Sequence, residues 1–218
     1  MNLKAIGTIP VALAAFVAGA QNFVVNGDFE PPETLDASSP PYFIPAFSGD
    51  TTSISGWTVG GRKGDVSVDI VHQEFFFEQG YPKFFAYSGV QMMDLAGSPG
   101  PGSIWQDFGT TPGEMYQLSF ACSSSFLGGP HWLEVQWAGA VVDFFLAPLA
   151  GEWVVRNYSL MATSNVTRLM LGSDPNNFSD GGPVVDAVVV VPEPASFAAL
   201  LASLGMLAFR RRTSLPSC

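Results

Sequence analysis

Aromatic rings interleaved with carboxylates and amides are the part of this chain whose residue types could do chemistry. Phe75, Phe76, Phe77, Tyr81, Phe84 and Phe85 fall in one short stretch, with Glu74, Glu78 and Gln79 among them. Sugar rings present apolar C–H faces that stack on flat side chains, while neighbouring carboxylates and amides read the hydroxyls. The stretch therefore predicts a ligand surface with Phe75, Tyr81 and Phe85 as aromatic members, although phenylalanine lacks the polar handle of tryptophan or tyrosine. Two rival platforms are Trp105, beside Gln106 and Asp107, and Trp132, which with Trp137 flanks Glu134. A single tryptophan in a strand is more often a core residue than a platform.

Catalytic signatures are missing from the sequence. His72 and His131 are the only histidines, and there is no Gly-x-Ser-x-Gly elbow, His-Glu-x-x-His pair or phosphate loop. A glycosidase needs only two carboxylates, but 19 acidic residues always permit some pair. The expectation is a protein that is not an enzyme. Cys122 and Cys218 are the only cysteines. Cys122 continues the alternation Tyr116, Leu118, Phe120, which predicts a free, buried thiol on a strand.

Charge removes one class of partner. All 19 acidic residues lie between Asp28 and Glu193, where the only basic ones are Arg62, Lys63, Lys83, Arg156 and Arg168. Phosphate binding requires the opposite sign, so nucleic acid is excluded as a partner.

The elements that would position these residues read as short strands. Apolar segments recur with period two at Trp57 to Val59, Val66 to Val71, Val90 to Leu95, Ser103 to Phe108, Met115 to Cys122, His131 to Trp137, Ala140 to Phe145, Trp153 to Met161, Val166 to Leu171 and Val184 to Val191. Phe23 to Val25 and Asp28 to Glu30 are further candidates. Pro112-Gly113, Gly128-Gly129-Pro130 and Gly181-Gly182-Pro183 punctuate them as turns. Pro31 to Pro45 predicts a long surface loop. The reading is all-β: an antiparallel two-sheet jelly-roll sandwich in which Val66, Val68 and Ile70 of one sheet face Tyr116, Leu118 and Phe120 of the other.

Both ends read as addresses rather than fold. Residues 1–20 have a positive start, an apolar run and the small-residue site Ala18-Gly19-Ala20, which predicts a signal peptide and an exported chain. Residues 21–191 form the domain. In 192–218, Pro192-Glu193-Pro194 precedes an uncharged apolar segment, 195–209, closed by Arg210, Arg211 and Arg212. Fifteen residues at about 1.5 Å rise span roughly 22 Å, short of a hydrocarbon core of about 30 Å, so the segment suits transient anchoring in the inner membrane. The arginines would remain cytoplasmic.

That order of motif, apolar helix and arginine cluster resembles the PEP-CTERM sorting signal. The resemblance implies processing by an exosortase-like enzyme and delivery to the cell surface or extracellular matrix. The body resembles the choice-of-anchor C family on a second set of motifs: Asn26-Gly27-Asp28-Phe29-Glu30, Ser55-Gly56-Trp57, Met93-Asp94-Leu95-Ala96-Gly97, Thr111-Pro112-Gly113-Glu114 and Gly182-Pro183-Val184-Val185-Asp186. This resemblance implies a galactose-binding-like jelly roll related to carbohydrate-binding modules, with Glu30 and Asp186 holding a structural calcium. Calcium takes six to eight oxygens at about 2.3 to 2.6 Å. The chain departs from the family in the aromatic insertion after Val71 and in Ala187, where the family has asparagine. The function expected is carbohydrate binding, with extracellular polysaccharide as partner. A structural matrix protein without a specific ligand, or a glycan-active enzyme, would share the same export and fold.

Overall fold

Alternating side chains need a sheet with one face turned to a core, and eleven strands provide two such sheets. The computed structural model describes residues 21–30, 42–61, 66–98, 100–176 and 179–193. Its strands are β1 (Phe43–Phe47), β2 (Thr58–Gly60), β3 (Ser67–His72), β4 (Gln91–Asp94), β5 (Ser103–Gly109), β6 (Met115–Ser124), β7 (Trp132–Trp137), β8 (Ala140–Leu146), β9 (Val154–Met161), β10 (Val166–Ser173) and β11 (Pro183–Pro192). One sheet has the order β1-β3-β4-β11-β6-β9 and the other β2-β5-β10-β7-β8. Every pairing is antiparallel. The result is the two-layer sandwich expected, in which residues of period two from each sheet meet in the middle.

The facing residues differ from the expectation. Val68 and Ile70 on β3 and Tyr116, Leu118 and Phe120 on β6 share the inner face of the same six-stranded sheet. They pack against Ile104, Leu133, Val135, Leu169 and Leu171 of the five-stranded sheet. Composition and period reveal that these residues point inward, but not which sheet their strands join. Cys122 is free and buried, and burial raises its thiol to about 11. A thiol that ionises so reluctantly is a packing residue rather than a nucleophile.

Two segments depart from the strand assignments. β1 overlaps the end of the proline-rich stretch, Pro31 to Pro45, that predicts a loop. Its position at the sheet edge lets Pro45, which has no amide proton to donate, sit opposite Asp69. The segment from Phe23 to Glu30 is not a strand, because Asn26 (φ 53°) and Phe29 (φ 57°) take left-handed conformations that interrupt extension. It runs beside β11, where Asn22 Oδ1 accepts from the backbone N–H of Val190 at 2.9 Å and the Phe23 N–H donates to the Val190 carbonyl at 2.8 Å.

Strand β11 carries a bulge between Asp186 and Val189, with Ala187 at φ 51°. Val185 is inward before the bulge, and Val188 and Val190 after it. An extra residue reverses the inward parity of a strand, and here it keeps valines in the core on both sides while Asp186 stays on the outer face.

The aromatic insertion builds a second core there. A short helix, α1 (Phe75–Glu78), lies over the six-stranded sheet, and Phe76 and Phe84 are fully buried with Val71, Met92 and Val184. Phe75 packs edge-on against Phe43 and Phe76, with centroids at 5.3 and 5.0 Å. The expected signal peptide, residues 1–20, the apolar segment 195–209 and the arginines after it lie outside the described residues. Among the described residues, no helix is long and apolar enough to cross a membrane.

Candidate functional site

On β7 the even-numbered side chains Trp132, Glu134 and Gln136 point away from the core, and the register carries that face across neighbouring strands. Gln136 lies opposite Met170, and Met170 opposite Trp105. Glu134 lies opposite Gly172 on one side and Phe144 on the other. Trp132 and Phe144 stack at 5.2 Å with planes 18° apart, and both remain exposed, at 37% and 45%. Glu134 is buried beneath this surface, and its carboxylate accepts a hydrogen bond from the Gln136 amide. A hollow of about 300 Å³ opens beside it, walled by Phe144, Val141, Asp174, Pro175 and Asn176. An apolar stack next to a carboxylate and an amide is the combination that sugar recognition requires.

Trp105 stands on the same sheet but does not offer a ring face. The Arg168 guanidinium lies 3.4 Å from its ring centroid, and Asp107 accepts from Arg168 Nε and Nη2 at 2.7 Å each. That pair holds the Asp107 carboxyl below its usual range. A cation over the indole competes with any sugar for the same surface.

The insertion divides its aromatics. Phe75 belongs to the second core, so it is a packing residue rather than a platform. Its neighbours on the surface are Tyr81, which stacks on Phe126 at 5.6 Å, and Phe85, exposed at 59% with Lys83 Nζ 5.1 Å above its ring. The Phe85 carbonyl accepts from Trp153 Nε1 at 2.9 Å, and Lys83 pairs with Glu74 at 2.5 Å. Sequence alone brings Tyr81 and Trp132 no closer than fifty residues. In the fold, Tyr81 covers Phe126 and Trp132 lies opposite Leu146, and Phe126 and Leu146 line one and the same cavity.

Glu30 and Asp186 converge on the loop before β4. Glu30 Oε1 accepts from the Val90 and Gln91 N–H groups at 2.7 and 2.8 Å, while Asp186 accepts from Ser88 at 2.9 Å and Ala187 at 2.6 Å. Gly89, at φ 66°, is required between them, since a Cβ there would collide with the Glu30 carboxylate. Burial raises the Asp186 carboxyl to about 7, with the Glu30 charge adding to the shift. Gln91 Nε2 donates to the Phe29 and Glu30 carbonyls at 2.8 and 2.9 Å, and its buried Oε1 has no hydrogen-bond partner. Two carboxylates and an orphaned amide oxygen are a donor set suited to a hard cation. Among the described residues, no group of three or more histidine, cysteine or acidic side chains is arranged around a metal position.

The Pro192-Glu193-Pro194 segment begins within the sheet. Pro192 lies opposite Tyr116, the Glu193 N–H donates to the Met115 carbonyl at 2.9 Å, and the Glu193 carboxylate accepts from Gln117 and Ser159. Pro194 and Arg210, Arg211 and Arg212 lie outside the described residues.

Solved structures with this architecture include carbohydrate-binding modules. TmCBM61, solved in complex with β-1,4-galactotriose, is 16% identical; the match covers 80% of this chain and 100% of that one, with a TM-score of 0.51. The CBM22-1 xylan-binding domain of Paenibacillus barcinonensis Xyn10C is 14% identical over 68% of this chain and 92% of its own, with a TM-score of 0.44. No curated protein matches the sequence. The jelly-roll sandwich expected from the second resemblance is thus present, and a family model described as "Protein of unknown function (DUF642)" matches residues 22–191, so the chain belongs to the DUF642 family.

Proposed function

We propose that this chain is a non-catalytic carbohydrate-binding module of the bacterial cell surface or extracellular matrix, with an extracellular polysaccharide as its partner. The observation that carries the reading is the exposed Trp132–Phe144 stack beside buried Glu134 on the outer face of the five-stranded sheet. A polysaccharide lying there would place a C–H face on the rings and hydroxyls toward Glu134, Gln136 and Asn176. The likeness in fold to carbohydrate-binding modules supports it. Export by the signal peptide, transient anchoring through 195–209 and processing by an exosortase-like enzyme complete the proposal, and rest on the sequence alone. A structural calcium held by Glu30, Asp186 and Gln91 Oε1 is part of the same reading.

The capped ring of Trp105 favours a second reading, a structural matrix protein with no specific ligand, because it leaves fewer faces open to sugars. Saturable binding to the producing organism's own exopolysaccharide separates the two. Trp132→Ala is expected to weaken that binding at least about tenfold, since stacking is worth on the order of 0.5–1.5 kcal/mol beyond the area buried. Trp105→Ala is expected to leave it within about twofold. A protein that shows no saturable binding, or one indifferent to Trp132→Ala, would overturn the assignment of this face.

A further inference from the structure

Beyond the ends of β6 and β8 the chain forms a separate cavity of about 260 Å³, open to solvent on one side, between residues 124–131 and 146–150. Its lining is mostly apolar, with Phe126, Pro130, Leu146, Pro148 and Leu149 as the larger side chains. His131 is the polar exception that matters. It is only 2% exposed, and neither of its ring nitrogens has a hydrogen-bond partner. The Ser125 and Leu127 carbonyls face the ring without completing a bond to it. Burial holds the imidazole below its ordinary pKa, so at neutral pH it is uncharged and offers one donor and one acceptor.

A buried polar group without a partner destabilises a fold. Leucine at this position would avoid that cost, so an orphaned imidazole lining a cavity marks a place where a partner arrives from outside. The loop beside it is shaped to leave room. Gly128 and Gly129 take φ values of 76° and 115°, and a Cβ on Gly129 would stand 3.6 Å from Nε2.

The chemistry of the lining narrows the partner. Among the described residues no lysine or arginine lines the cavity, so a uronate would bring in a charge without a cation there to neutralise it. Against Leu146, Pro148 and Leu149, of which Leu146 and Leu149 are exposed at 50% and 73%, an apolar substituent gains contact that a hydroxyl does not. A hydroxyl both donates and accepts, which is what a neutral imidazole can satisfy. The volume lies just below the range of about 300–1,000 Å³ typical for drug-sized ligands, which suits one ring rather than a chain.

We propose that this cavity binds a single chain-terminal, uncharged sugar ring that gives a hydroxyl to His131 and an apolar substituent, the methyl of a 6-deoxyhexose or an O-acetyl group, to the aliphatic wall. Tyr81, stacked on Phe126, and Trp132, opposite Leu146, are the aromatic rings next to the cavity lining on which the following residues of the polysaccharide would lie. The inference rests on the carbohydrate-binding reading and adds an end-recognising subsite to it.

His72 and His131 are the only imidazoles in the chain, so ring-nitrogen NMR resolves the site directly. The probes are methyl α-L-rhamnopyranoside, methyl α-L-fucopyranoside and an O-acetylated methyl hexoside, with methyl β-D-galactopyranoside and methyl β-D-glucuronide as controls, each titrated into the full chain. At least one apolar-substituted glycoside is expected to shift the His131 nitrogens saturably and to bind about tenfold or more tightly than methyl galactoside. The glucuronide should leave the spectrum unchanged, and His72 should not respond. His131→Leu is expected to melt no lower than the wild type and to lose glycoside binding. Ala150→Phe, which fills the cavity from a half-buried position, should lose it too. The inference is overturned if no glycoside moves the His131 nitrogens, or if His131→Leu binds as the wild type does. Exopolysaccharide binding that persists and still depends on Trp132 would then leave the broader reading standing, whereas its absence as well would remove both.

Discussion

Asp94 stands directly opposite Asp69 across the antiparallel β3–β4 pair, and both carboxyl groups are buried. Asp94 Oδ1 accepts from the Ala96 and Gly182 N–H groups at 3.0 and 2.8 Å, yet burial pushes its carboxyl up to about 8, with the Asp69 charge adding to it. Asp69 is raised to about 6 by burial and then by Asp180, and its Oδ1 has no hydrogen-bond partner. The groups that face the pair are thus acidic or neutral, with no cation among those that shift it.

The sign of the pH dependence follows. Both carboxyls bind protons more tightly in the folded chain than at the usual carboxylate value near 3.9. Their contribution is fully present below that value and is lost as pH rises through about 6 for Asp69 and about 8 for Asp94. The melting midpoint is expected to fall between pH 5 and 8.5 by several degrees, at about 2–4 °C per kcal/mol for a chain of this size. Asp94→Asn keeps an acceptor for Ala96 and Gly182 and removes the charge, so it should raise the midpoint at pH 8.5 and flatten the profile. An equally steep profile in that variant would refute the assignment.

Ala187 holds a left-handed conformation at φ 51° in the bulge of β11. That geometry costs a residue bearing a Cβ on the order of 1–2 kcal/mol, and asparagine and glycine less. Ala187→Gly and Ala187→Asn should therefore both raise the unfolding free energy, by up to about 1 kcal/mol once the added flexibility of glycine in the unfolded chain is counted. Denaturant titration checks this, and a loss of stability in both variants would mean that the bulge is not strained.

Three adjacent phenylalanines meet three fates. Phe75 is half-buried, Phe76 is fully buried, and Phe77 is exposed at 56%. Phe76→Ala should cost about 3–5 kcal/mol, as for a large aromatic removed from a packed core. Phe77→Ala should stay within about 0.5 kcal/mol. Chemical denaturation of the two variants decides whether the insertion is a true second core; equal effects would deny it.

The same run shows what a sequence can and cannot reveal. The strand of Tyr116, Leu118, Phe120 and Cys122 was legible because period-two alternation is a local property of the backbone. Phe75 to Phe77 have no period, and their burial is decided by β3, β4 and the distant Phe126, so the stretch read equally well as a ligand surface. Trp132 could be singled out, whereas its partner Phe144 could not, because the adjacent Phe145 points inward and only the β7–β8 register separates them. Arg168 reaches Asp107 from 61 positions away along the chain and covers Trp105, and no local pattern announces it. β1 was hidden because prolines forbid a central strand but not an edge one.

Calcium is the remaining question that a melt can answer. Asp186 is wholly buried, and Glu30 adds its charge nearby, a repulsion that hydrogen bonds from Tyr87, Ser88, Ala187, Val90 and Gln91 offset. A cation binding there would neutralise both carboxylates and give Gln91 Oε1 the partner it lacks. A site filled at about a hundred times its dissociation constant stabilises the fold by about 2.7 kcal/mol, roughly 5–10 °C in midpoint for a chain of this length. Chelation is therefore expected to lower the midpoint by that amount, with recovery on adding calcium but not magnesium, which demands a smaller and more regular octahedron. Glu30→Gln retains an acceptor for Val90 and Gln91 but removes one ligand charge, so it should abolish the response to chelator while remaining folded. If the wild-type midpoint ignores the chelator, the backbone N–H groups alone hold the two carboxylates, and Gln91 Oε1 must find its partner in water.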